Sequence, residues 1–186
     1  MNAVLRLNAA GTPTAWISVE DAAMLYAKNL VLWSLGASSR VLHGGTNNNG
    51  IKSTLDIDPI LAVRGDIRGN YESKKSFTNR QLFRRDHNRC MYCGNEFNYS
   101  ELTREHVIPR AQNGQDIWTN VVAACKSCNH FKADRTPEQA GMPLLAVPFQ
   151  PNIFEWAYLA QHTVLEDQMM YLEKRFSGQR DWRLAS

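Results

Sequence analysis

The four cysteines of this 186-residue chain fall in two pairs, Cys90-Met91-Tyr92-Cys93 and Cys125-Lys126-Ser127-Cys128. Two thiols three positions apart sit on one tight turn, so two such turns must meet around an ion or close as disulfides. The opening, MNAVLRLNAA, has no long apolar stretch. A secretory leader is therefore not expected, and a cytoplasmic setting is. In that setting paired C-x-x-C turns are metal knuckles more often than disulfides. Four thiolates form a closed tetrahedral site, which suits zinc and leaves no position open for substrate. The 31 residues between Cys93 and Cys125 exceed the ~15–20 of a minimal zinc ribbon. Something is built between the knuckles.

Within that insert, Leu102 to Ile108 suits a strand, ended by Pro109. Asn113-Gly114 supplies a turn, Val121 to Ala124 a returning strand, and Ser127 to Ala133 a helix. Glu105 and His106 are neighbours, so a regular strand points them to opposite faces. A bulge, or the strand's end at Pro109, is needed to bring both to one pocket.

The rest of the chain frames this segment. A hydrophobic fraction of 44% and a charged fraction of 21% are those of a folded globular protein. No run approaches the ~20 apolar residues of a membrane span, so no membrane partner is expected. Net charge is +3, but Arg64 to Arg89 holds eight basic residues against three acidic ones. That stretch is either a solvated linker face or a phosphate-binding approach surface.

Residues 1–63 read as a small α+β unit. Val4, Leu5 and Leu7 mark a strand, Ala15 to Ile17 its hairpin partner, and Ser18 the N-cap of a helix with Asp21 at its third position. Leu30 to Leu35 is short and apolar enough for a buried strand. Gly44 to Gly50 is expected to be a mobile loop, and Ile51 to Val63 is weakly strand-like. Residues 64–76 read as a basic linker. Thr78 and Gln81 form a capping box for a short helix in which Leu82 and Phe83 dock, leaving Arg80, Arg84 and Arg85 for solvent or phosphate. Thr136-Pro137-Glu138-Gln139 repeats this helix-start pattern. A long helix is expected over 152–176, with Trp156, Leu159, Met169 and Leu172 among its apolar positions. The module between, residues 77–142, holds the knuckles. In the tail, Arg180, Trp182 and Arg183 are a weak sign of DNA contact.

Three fragments now carry a resemblance: Glu105-His106-Val107-Ile108-Pro109, Asn120-Val121-Val122, and Cys128-Asn129-His130-Phe131-Lys132. With His106 to Asn120 at fourteen positions and Asn120 to Asn129 at nine, the stretch resembles the HNH endonuclease family in its four-cysteine form. Lys132 to Glu138 resembles a common continuation, and the opening VLRLNAAGTPTAWISVEDA the N-terminal element of many bacterial and phage members. The resemblance implies a ββα-metal (His-Me finger) module stapled by zinc, between an N-terminal α+β unit and a C-terminal helix. It implies metal-dependent hydrolysis of DNA phosphodiester bonds in a bacterial or phage-infected cell, leaving 5′-phosphate and 3′-hydroxyl ends. By position, His106 is the general base that deprotonates water. Asn129 is a ligand of a catalytic Mg2+ or Mn2+, with Glu105, where the family more often has Asp, as the second. Asn120 holds the loop that orients His106. His130 is an alternative ligand, although helix neighbours point about 100° apart.

Arg84, Arg85, Arg110, Lys132 and Arg135, together with Arg104, are the candidate phosphate contacts. One such site cuts one strand at a time. A double-strand break needs a homodimer, for which the C-terminal helix is the candidate interface, or sequential nicking. The alternatives from other classes are a zinc-stapled DNA-binding module without cleavage and a structural zinc domain that binds protein.

Overall fold

The computed structural model describes residues 3–37, 40–65 and 78–177. In chain order these form β1 (Val4–Leu7), β2 (Pro13–Ile17), α1 (Val19–Ala27), β3 (Val31–Leu35), β4 (Arg40–Thr46), β5 (Lys52–Ile57) and β6 (Ile60–Val63). Then come α2 (Asn79–Arg85), β7 (Leu102–His106), β8 (Val121–Cys125), α3 (Lys126–Lys132), α4 (Pro137–Ala140), α5 (Ile153–Ala160) and α6 (Glu166–Glu173). The architecture is mixed α/β. No helix among the described residues is long and apolar enough to cross a membrane. Two compact units result. One joins residues 3–37 and 40–65 to Asn152–Phe176, and the other holds residues 78–151.

In the first unit the strand order is β2-β1-β6-β3, with β1 and β6 parallel and the other pairs antiparallel. Alternation along the two central strands divides the core. Leu5, Leu7, Ile60 and Ala62 face Ala157 of α5 and Leu172 of α6. Val4 and Leu61 face Ala22 of α1. A parallel pair covered on both faces accounts for the nearly unbroken apolar run Ile60–Val63. The Ser18 cap forms, its hydroxyl accepting from the Asp21 amide at 3.0 Å.

Three expectations are corrected here. The apolar run at residues 30–35 becomes an edge strand, β3, which leaves Leu32, Trp33 and Leu35 exposed. The Gly44–Gly50 stretch belongs to a hairpin, because β4 and β5 pair as far as Thr46↔Lys52. The side-chain oxygen of Asn47 then accepts from the amides of Asn49 and Ile51 and closes the turn. In place of the single helix over 152–176 there are α5 and α6. Gln161 is extended (φ −108°, ψ 134°), in a stretch whose Thr163 and Val164 are β-branched and helix-poor. A fresh start follows at Leu165, whose amide donates to Gln168 Oε1 at 3.0 Å. The buried Gln168 in turn donates to the carbonyls of Ala3 and Pro59. The basic linker, apart from Arg64 and Gly65, and the tail beyond Ser177 lie outside the described residues.

In the second unit both expected capping boxes form, Thr78 with Gln81 and Thr136 with Gln139. Strands β7 and β8 pair antiparallel from Leu102↔Cys125 to His106↔Val121 without a register shift. Helix α3 follows directly and packs against both. A buried ion pair ties α2 to this hairpin. Arg85 Nε lies 2.7 Å from Asp86 Oδ1, and Asp86 Oδ2 accepts the Ala123 amide at 2.7 Å. The Arg85 guanidinium donates to the carbonyls of Trp118, Val121 and Phe149 and lies over the Trp118 and Phe149 rings.

Candidate active site and metal centre

The knuckles converge. The sulfurs of Cys90, Cys93, Cys125 and Cys128 all lie within 4.8 Å of one another, and metal–sulfur bonds of ~2.3 Å require sulfur–sulfur edges of about 3.8 Å. The turns are built for it. Gly94 adopts φ +79° and donates its amide to the Cys90 carbonyl at 2.9 Å, while the Cys128 amide donates to Cys125 Sγ at 3.4 Å. Burial opposes ionisation of Cys90, but backbone donors at Cys93, Cys125 and Tyr92 outweigh it and hold that thiol below the ordinary range. Burial, followed by the neighbouring sulfurs, pushes Cys128 up, and burial raises Cys93. Such a cluster resists further negative charge until a cation compensates it. The donor set fits a four-thiolate metal ion.

Glu105 and His106 part company, as an unbulged strand requires. The Glu105 carboxylate turns to α3, where Lys132 Nζ lies 2.5 Å from its Oε1 and also donates to the His106 carbonyl at 2.8 Å. Burial pushes the Glu105 carboxyl above its usual range, against the downward pull of Lys132. Two residues back on the same face, Thr103 Oγ1 accepts from Asn129 Nδ2 at 2.8 Å. Glu105 and Asn129 thus belong to the face of β7 that α3 covers.

His106 ends β7 on the other face, with Arg104. Its Nε2 is buried and lies 3.2 Å from Asp116 Oδ1 without the alignment of a hydrogen bond. Asn120 secures the backbone beyond it. The Ile108 amide donates to Asn120 Oδ1 at 2.9 Å, while Asn120 Nδ2 donates to the carbonyls of Ile108 and Gln115. The Val107 amide donates to the Asn120 carbonyl at 2.8 Å. One amide side chain therefore fastens both the 107–108 and the 115 segments.

The candidate phosphate contacts separate. Arg110 and Arg135 are exposed and Arg84 is half-buried. Arg135 donates to the carbonyls of Phe131 and Lys132 and stacks on the Phe131 ring. Arg85 and Lys132 are buried, and their polar atoms meet protein groups, so neither presents a surface to a phosphate. Helical spacing carried the signal in both cases. Arg85 stands three positions after Leu82, on the docked face of α2, and Lys132 three after Asn129, on the inward face of α3. Asp116, which meets Arg104 as well as His106, has no comparable mark in the sequence.

Residues 90–145 match the HNH endonuclease family, whose general implication is nuclease activity. A segment of 55 residues is 34% identical to the CRISPR-associated endonuclease Cas9 of Corynebacterium diphtheriae, covering 29% of this chain and 5% of that protein. The comparison with solved structures gives no match. The four-cysteine cluster, the His106 strand and the Asn129 helix all lie inside the matched stretch. Residues 90–145 of this chain are thus similar to HNH endonuclease domains.

Proposed function

We propose that this chain is a metal-dependent endonuclease that hydrolyses DNA phosphodiester bonds, with β7, β8 and α3 as a ββα-metal module. The observation that carries the reading is His106. Its ring nitrogen is buried at the end of a strand with no aligned partner, and the Asn120 clamp holds the segment that follows it. An imidazole so placed would take the proton of a water attacking phosphorus. The four cysteines would hold zinc and keep the hairpin and α3 together. Glu105 and Asn129 offer the carboxylate and amide oxygens a hard cation takes and would hold Mg2+ or Mn2+. Because His106 lies on the opposite face of β7, base and ion would share one pocket only if the end of that strand rearranges. When bound, that ion neutralises charge on the phosphate and the leaving oxygen. Lys132 is the cation that Glu105 meets here, and it must share the carboxylate.

That same ion pair favours a second reading, since it satisfies Glu105 without a divalent ion. A zinc-stapled DNA-binding module without cleavage would keep it intact. Nicking of supercoiled plasmid in Mg2+ or Mn2+ separates the two. The wild-type chain is expected to nick, and His106→Ala to lose nicking while retaining zinc and its melting curve. Nicking by His106→Ala at the wild-type rate removes His106 as the base. DNA binding that is indifferent to Mg2+ and never leads to nicking establishes the second reading.

A further inference from the structure

On the His106 face of β7, one carboxylate draws three nitrogen groups. Asp116 Oδ2 lies 2.6 Å from Arg104 Nη1 and 3.8 Å from Arg110 Nη2, and Asp116 Oδ1 lies 3.2 Å from His106 Nε2. The members differ in how firmly they are held. Arg104 is fixed from behind, its Nε donating to Asn79 Oδ1 at 2.9 Å. The side chains of Arg104 and His106 retain 20% and 14% exposure, against 35% for Asp116. Asp116 sits in the connection between Gly114 and Trp118, outside any helix or strand. Arg104 and His106 are the less exposed members, while Arg110 is 70% exposed and Asp116 lies on a bend between them. Asp116 is also not an orienting partner of His106, because its oxygen approaches the ring nitrogen without hydrogen-bond alignment.

A carboxylate and a phosphodiester each present two acceptor oxygens to an arginine fork, and the fork binds either. We propose that Asp116 is an internal stand-in for a DNA phosphate. It occupies an anion site formed by Arg104, Arg110 and His106, and the substrate phosphate displaces it on binding. This rests on the endonuclease reading and deepens it. Arg104 and Arg110 become the phosphate-binding pair beside the base, and Asp116 becomes a competitor that weakens DNA binding until it swings out.

Anisotropy titration of a short labelled duplex with the full zinc-loaded chain, in Ca2+ and over a range of salt, tests the idea. Asp116→Asn is expected to bind roughly two- to fivefold tighter than wild type at low salt, the scale of one exposed ion pair. Arg104→Ala is expected to bind more weakly and to flatten the salt slope by about one. In the Arg104→Ala background the gain from Asp116→Asn should largely disappear. Zinc content and thermal melts check that each variant is folded. Arg104→Lys, which keeps the charge and loses the fork, replaces Arg104→Ala if the latter fails that check. If Asp116→Asn binds no tighter while the wild type nicks plasmid, the stand-in is wrong and the endonuclease reading stands. A gain undiminished without the Arg104 fork means a general charge effect and likewise overturns the anion site. A wild type that neither binds nor nicks DNA removes both.

Discussion

Lys132 is a buried cation in a position that composition alone would assign to the surface. Its ammonium meets Glu105 at 2.5 Å and the His106 carbonyl at 2.8 Å, so it neutralises a desolvated acid and braces the residue next to it. Removing one partner of a buried pair leaves the other uncompensated, a loss of about 3–5 kcal/mol. Lys132→Met is therefore expected to lower unfolding free energy by about that amount in urea at fixed zinc. A loss below ~1 kcal/mol, the scale of exposed pairs, would place this lysine at the surface after all. Arg85 teaches the same lesson. The spacing from Leu82 marks its face, yet its partners are carbonyls at Trp118, Val121 and Phe149, which no local pattern announces.

Among the elements, the β7–β8 hairpin and its connection decide what the site can present. The pairing is regular through Glu105↔Val122 and His106↔Val121, so the two chemically prominent neighbours serve opposite faces. Glu105 meets α3, and His106 meets the Asp116 connection. That connection is closed tightly at Gly114, whose amide donates to the Pro109 carbonyl at 2.9 Å. A Cβ added at Gly114 would fall 1.6 Å from the Ile108 carbonyl oxygen. Gly114→Ala must move backbone that Asn120 also holds, and is expected to cost about 3 kcal/mol, the upper end of overpacking losses. Nicking should fall more steeply than stability, as His106 is displaced. Denaturant curves and nicking rates measured on the same preparation make the check, and a variant with unchanged rates contradicts the account of the loop. The capping boxes behaved as the sequence indicated because each is closed within four residues.

For the whole molecule, the two units differ in what holds them. Residues 3–37, 40–65 and Asn152–Phe176 share an apolar core on both faces of a sheet. Residues 78–151 wrap a smaller hairpin around the cysteine cluster. A four-thiolate ion would contribute folding free energy directly to the second unit alone. Stripping zinc with a strong chelator is expected to abolish amide protection at Met91 and Ala123 and to leave Leu5 and Ile60 protected in hydrogen exchange. Loss of protection at all four positions would show that the units unfold together. The sequence by itself determined the knuckles, the strand–strand–helix order between them, the caps and the alternating strands, because these depend on spacing along the chain and on hydrogen bonds between near neighbours. Tertiary structure alone decided that 152–176 folds as two helices, that β3 is an edge, and which charges are buried. It also decided that the Cys90–Cys128 segment faces Glu105 one way and His106 the other. Glu105 meets Lys132 across 27 positions and Arg104 meets Asp116 across 12. The strength of such a pair is set by the water excluded around it, and only the assembled fold fixes that.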